Sequence, residues 1–81
     1  MNLVTFHTTT AAIQLETLAK ELDSSAKLVP VPTKLSSSCG YAMTTDLSLE
    51  QIESLVIENL IDAESFYEIT GSDDFKIIKD F

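Results

Sequence analysis

The chain contains no arginine, one cysteine and one histidine, and only two glycines and two prolines interrupt it. No apolar run approaches the ~20 residues of a membrane-spanning helix. Each scarcity excludes something. Five lysines against thirteen acidic residues leave a net charge of −8, with no cluster of positive charge to displace counterions from nucleic acid. An anionic membrane surface would repel the same chain, so neither nucleic acid nor membrane is an expected partner. A lone cysteine cannot close an internal disulfide. One Cys and one His fall short of a structural zinc set, and no Asp-rich calcium loop is present, so no metal is expected. Glycine-rich phosphate loops, nucleophile elbows and dinucleotide fingerprints are also missing, which points away from classical and cofactor-dependent enzymes. No basic stretch precedes the first apolar residues, so no secretory leader is expected. A reducing, cytoplasmic setting is the default, and there an unpaired thiol stays available.

What remains is a small acidic domain. Eighty-one residues make one folding unit, and 44% apolar residues with positive mean hydropathy favour a packed core over disorder. A chain this short buries about 60–65% of its unfolded surface and has no room for a deep cofactor cleft.

Local patterns give the element order. Asn2 to Phe6 is β-branched or aromatic and reads as a first strand ending at a Thr8-Thr9-Thr10 cluster. Ala11, Leu15, Leu18 and Leu22 then lay one apolar stripe along a helix from about Thr10, and the threonines offer N-cap hydroxyls. Ala26 to Val31 reads as a second strand, and Pro30, which removes a ladder donor, places it at a sheet edge. A serine-rich loop from Pro32 to Cys39 leads to a third strand, Tyr41 to Thr45. Ser48 and Gln51 form a capping box, with Leu47 and Ile52 as a hydrophobic staple. The stripe of this second helix is Leu49, Ile52, Val56 and Leu60, with Leu55 beside it. Glu64 to Thr70 gives a fourth strand, closed by Gly71. The chain thus divides into a domain at 1–71 and an acidic C-terminal tail at 72–81. The tail's Ile77-Ile78 pair is compatible with a short strand, with packing on the sheet, or with fraying.

The order β-α-β-β-α-β points to an α+β, ferredoxin-like fold: a four-stranded antiparallel sheet in the order 4-1-3-2, with two helices on one face. In that topology the turn after the first strand and the loop between the second and third share one end of the domain. His7, Thr8 and Thr9 would therefore face Ser36 to Gly40.

Cys39 is the leading candidate for a functional atom. Three serines and a glycine flank it, a polar surround in which a thiol can meet solvent and a partner. Packing as a small core hydrophobe is the alternative. Ser37, Ser38 and Gly40 are its supporting neighbours; the loop offers N–H and hydroxyl donors, and Gly40 permits a positive φ or close backbone approach. His7 is a weaker candidate, either a polar strand end or a proton carrier for the thiol.

Three segments resemble the selenium/sulfur-carrier-like family of small bacterial domains, first catalogued as a domain of unknown function. They are Leu3-Val4-Thr5-Phe6 with a following helix containing Ala12 and Glu16, then Val29-Pro30-Val31-Pro32, then Leu35-Ser36-Ser37-Ser38-Cys39-Gly40-Tyr41-Ala42. The resemblance covers about residues 2–70. It implies a carrier that holds a persulfide or selenopersulfide on Cys39 and passes it to an acceptor protein. A cysteine desulfurase or a selenophosphate-pathway enzyme would then be the kind of protein partner. Two other readings stay open. One is a small-molecule-sensing or oligomerisation module, including a homodimer, that pairs through Phe66 or the Ile77-Ile78 segment with Cys39 incidental. The other is a thiol redox switch.

Overall fold

A computed structural model of the chain describes residues 1–35 and 39–81. Its elements run β1 (Asn2–Phe6), α1 (Thr9–Leu22), β2 (Lys27–Pro30), β3 (Tyr41–Thr45), α2 (Leu49–Asn59), β4 (Ala63–Ile69) and β5 (Phe75–Asp80). The strands form one sheet in the order β2-β3-β1-β4-β5, and every neighbouring pair is antiparallel. The expected order of the first four strands is therefore present. The expectation of four strands is not met: residues 75–80 pair along β4 and make the sheet five-stranded, so the fold is ferredoxin-like only in outline.

Strand alternation explains where the core sits. Val4 lies opposite Met43 on one side and Phe66 on the other, and all three are buried. Phe6 shares their face, and the four join Ala11, Ala12, Leu15 and Ala19 of α1 with Ile52 and Val56 of α2 in one cluster. Both helices thus cover the same side of the sheet. Truncating Phe6 or Leu15, each fully buried, would cost about 2–5 kcal/mol in lost transfer energy and cavity formation. The opposite face carries Leu3, Thr5, Ala42, Thr44 and Ser65, all buried.

The helix ends follow their sequence signals. Thr8 is the N-cap of α1, its Oγ1 accepting the Ala11 N–H at 3.1 Å. The Ser48 hydroxyl accepts from Gln51 N at 3.3 Å, and Gln51 Oε1 accepts from Ser48 N at 3.0 Å, which completes the capping box. Leu47 and Ile52 are buried in the same cluster, where a hydrophobic staple would put them.

Three expectations about burial are corrected. Leu22 is 60% exposed, because Ala19 already fills the last inward position of α1. Leu60 is 90% exposed, because α2 stops at Asn59 and Leu60 turns into the left-handed region at φ 52°, away from the buried stripe. Phe66 lies in the core and offers no surface for pairing.

The edge strand β2 is protected from the side. Glu16 Oε2 of α1 accepts the Leu28 N–H at 2.9 Å, and Lys20 lies 3.8 Å from the same oxygen. At the far end of α1, the Asp23 carboxylate accepts from the Ser25 N–H and hydroxyl, the Thr45 hydroxyl and the Asp46 N–H, at 2.6–3.0 Å. These bonds, the Ser25 hydroxyl first among them, hold its carboxyl well below the usual carboxylate range. Among the described residues, no helix is long and apolar enough to cross a membrane.

Candidate functional site around Cys39

The sheet register fixes what shares an end with Cys39. Thr5 is opposite Ala42 and Pro30 is opposite Tyr41, so β1 and β2 finish where β3 begins. Phe6 is opposite Ala63, so β4 also begins at this end. His7 follows β1 directly, and Cys39 and Gly40 directly precede β3. Residues far apart in sequence thus meet at one end of the domain, as the topology predicts. The Val31 N–H donates to the Gly40 carbonyl at 3.1 Å, carrying the β2–β3 pairing one step beyond the strands.

Cys39 is half-buried and packs its side chain against the edge of the core cluster. The two sequence-level alternatives, a core hydrophobe and a solvent-facing thiol, therefore meet in one position. Its sulfur is held locally. The Tyr41 N–H donates to Sγ at 3.4 Å, and the Sγ–H donates to the Tyr41 carbonyl at 3.2 Å. Both partners belong to the backbone of the first β3 residue, which the sheet fixes. Gly40, between them, adopts φ +78°, a conformation that L side chains rarely take. The glycine is what lets the chain fold Sγ back over Tyr41.

The other candidate residues are placed as follows. His7 donates its N–H to the Asp62 carbonyl at 3.3 Å, and its Nδ1 lies 3.6 Å from Glu64 Oε2. The imidazole is thus drawn toward β4, and among the described residues no hydrogen bond joins it to Cys39. Thr8 is occupied in capping α1, and Thr9 is the first residue of that helix. Ser37 and Ser38 lie outside the described residues. Tyr41 is not among the residues that the sequence patterns single out. Its signal was available: the residue two after a cysteine, at the start of a strand, has a fixed N–H and carbonyl within reach of sulfur.

The arrangement suits exchange at sulfur. A partly exposed cysteine can be approached by a partner's sulfur, while the position of its Sγ is set by backbone groups that do not depend on neighbouring side chains.

The family model described as "Putative Se/S carrier protein-like" matches residues 1–68, from β1 to within β4. Searches of the curated proteins and of the solved structures each gave no significant match. The matched span contains Cys39 with both of its backbone partners, Glu16 against the β2 edge and Ala12 in the core; β5 lies beyond it. Since the match takes in most of the chain, this protein belongs to the Se/S carrier protein-like family.

Proposed function

We propose that the protein carries sulfur or selenium on Cys39, as a persulfide or selenopersulfide, and delivers it to an acceptor protein. The observation that carries this reading is the chain's one cysteine, partly exposed, with its Sγ held by the Tyr41 N–H and carbonyl inside the family-matched region.

The chemistry is a bond exchange without net oxidation. The Cys39 thiol gives its proton to solvent, and the thiolate attacks the outer sulfur of a donor's persulfide. A new S–S bond forms on Cys39 while the donor's own S–S bond breaks. The bonding pair leaves with the donor cysteine, which takes up a proton. Delivery repeats the same step with Cys39 as the leaving thiolate. The Tyr41 N–H is placed to donate to Sγ whenever that sulfur carries negative charge. Donors of this chemistry include a cysteine desulfurase, and acceptors include an enzyme of selenophosphate formation. Both fit a reducing, cytoplasmic setting, where persulfides and free thiols coexist.

Intact-mass spectrometry after incubation with a cysteine desulfurase and cysteine, or selenocysteine, tests the proposal. The expected result is a gain of one sulfur or selenium atom that dithiothreitol removes and that Cys39→Ser abolishes. An unmodified protein, or an adduct that persists in Cys39→Ser, would overturn it.

A further inference from the structure

Several local rules fail together at the C-terminal end of α2. Leu60 takes the left-handed conformation at φ 52°, and it is the only non-glycine at positive φ among the described residues. Gly or Asn is usual there, and a Leu costs about 1–2 kcal/mol. The same Leu60 is 90% exposed, with Ile57 at 69% and Ile13 of α1 at 51%. The last turn of α2 carries no basic residue to meet the negative end of its dipole; Glu58 stands there instead. Glu58 and Asp62 enter no ion pair among the described residues. Positions that break capping, burial and dipole rules together are where function is sought.

Two hollows lie beside this helix end. Ile13, Thr17 and Leu18 of α1 face Asn59 and Ile61 across a groove of about 350 Å³. A second hollow, which shares Ile61 with the first, is lined by Ile57, Asp62, Phe81 and His7 and by Lys79, whose ammonium is paired with Glu53. The Asp62 backbone carbonyl accepts the His7 backbone N–H, which puts this surface at the end of the domain where Cys39 lies.

We propose that this surface docks a protein segment that presents an apolar side chain flanked by lysine or arginine. Charge selects the occupant. Ile57 and Ile61 supply apolar lining, with the exposed Leu60 next to Ile61 in the chain; Lys79 is neutralised by Glu53, so Glu58, Asp62 and the C-terminal end of the helix dipole leave the net charge here negative. A second copy of the chain would set acid against acid across a twofold axis, and an anionic lipid surface would be repelled outright. That the docked protein is the one exchanging sulfur with Cys39 rests on the carrier reading; the surface itself does not.

Nuclear magnetic resonance titration of the full ¹⁵N-labelled chain with three synthetic peptides tests it. The probes are an amphipathic Leu/Lys helix, a Leu/Glu twin lacking the positive charge, and a Gln/Lys twin lacking the apolar side. Saturable shifts are expected at Ile13, Ile57, Leu60 and Ile61 with the Leu/Lys peptide alone. Leu60→Gly relieves the strained φ, so it should melt at a higher temperature while binding that peptide about tenfold more weakly. Because this variant gains stability, weak binding cannot be ascribed to misfolding. The proposal is overturned by shifts centred elsewhere, by no saturable binding, by equal binding of the Gln/Lys twin, or by undiminished binding in Leu60→Gly. A lower melting temperature in that variant would remove the strain argument and count against it too. No persulfide enters this titration, so its failure leaves Cys39 loading standing, and failed loading leaves the titration standing.

Discussion

At Gly40 the cost of a side chain is conformational, not steric. Nothing lies within 4 Å of where its Cβ would stand, yet φ is +78°. Gly40→Ala should therefore lose about 1–2 kcal/mol, a drop of several degrees in melting temperature for a domain of this size, with Gly40→Asn losing less. Because Gly40 sets the angle between Cys39 and Tyr41, the alanine variant should also change the rate at which the thiol reacts with iodoacetamide. Equal melting and alkylation in Gly40→Ala would show that the turn tolerates another conformation. Asp23 makes the second prediction at this scale. Its carboxyl titrates below its ordinary 3.8 in the folded chain, so it binds its proton less readily folded than unfolded. The resulting stability is present at neutral pH and is lost as pH falls from about 4 through the depressed folded value. Asp23→Asn should lower stability at pH 7 and flatten its fall in acid, read from urea midpoints between pH 7 and pH 2.5.

The elements divide by how much of their information is local. β1 and β3 have the bounds expected from their β-branched and aromatic runs, and the Ser48/Gln51 capping box makes both of its hydrogen bonds. Pro30 correctly placed β2 at an edge. The sequence of β5 is compatible with three placements, since its residues are mostly exposed and its pairing slips between Phe66 and Tyr67, which breaks the period-two pattern. The spacing of Leu60 fits the helical stripe, but the end of α2 is set by the Schellman-type bond from Ile61 N to Val56 O, which has no glycine to announce it. At the site, the end shared by Cys39 and His7 followed from topology, whereas the Cys39–Tyr41 bonds depend on the φ of one glycine. A chain ending at Gly71 should test what β5 contributes. It loses the Ser65–Asp80 hydrogen bond and the Lys79–Glu53 ion pair, and leaves β4 as a bare edge. Lower stability and concentration-dependent self-association by analytical ultracentrifugation are the expected results. A monomer as stable as the full chain would mean that residues 1–71 need no such cover.

For the whole molecule, a net charge of −8 on 81 residues makes self-repulsion a standing cost. The urea midpoint at pH 7 should rise as sodium chloride is raised from low concentration to about 0.5 M, where the Debye length falls to a few ångströms. A midpoint that falls over the same range would instead assign net stabilisation to the ion pairs and to the carboxylate hydrogen bonds of Asp23. The same charge limits who can approach the Cys39 end: neighbours that resemble this chain are turned away, and basic ones are drawn in.

The central position of β1 has a consequence for how the chain reaches this state. Its register partners, Thr45 for Asn2 on one side and Glu68 on the other, come from distant parts of the sequence. The middle of the sheet is thus its least local part, and the β2–β3 and β4–β5 hairpins at the margins are its most local. Such an arrangement folds slowly for its size, because loop closure must precede the contacts that reward it. Until β1 is clasped between β3 and β4, the side chains meant for the core have no sheet to rest on. Assembly should therefore run from the rim inward, and the bonds that hold the thiol, made within two residues at the mouth of the β2–β3 hairpin, should form before β1 is clasped.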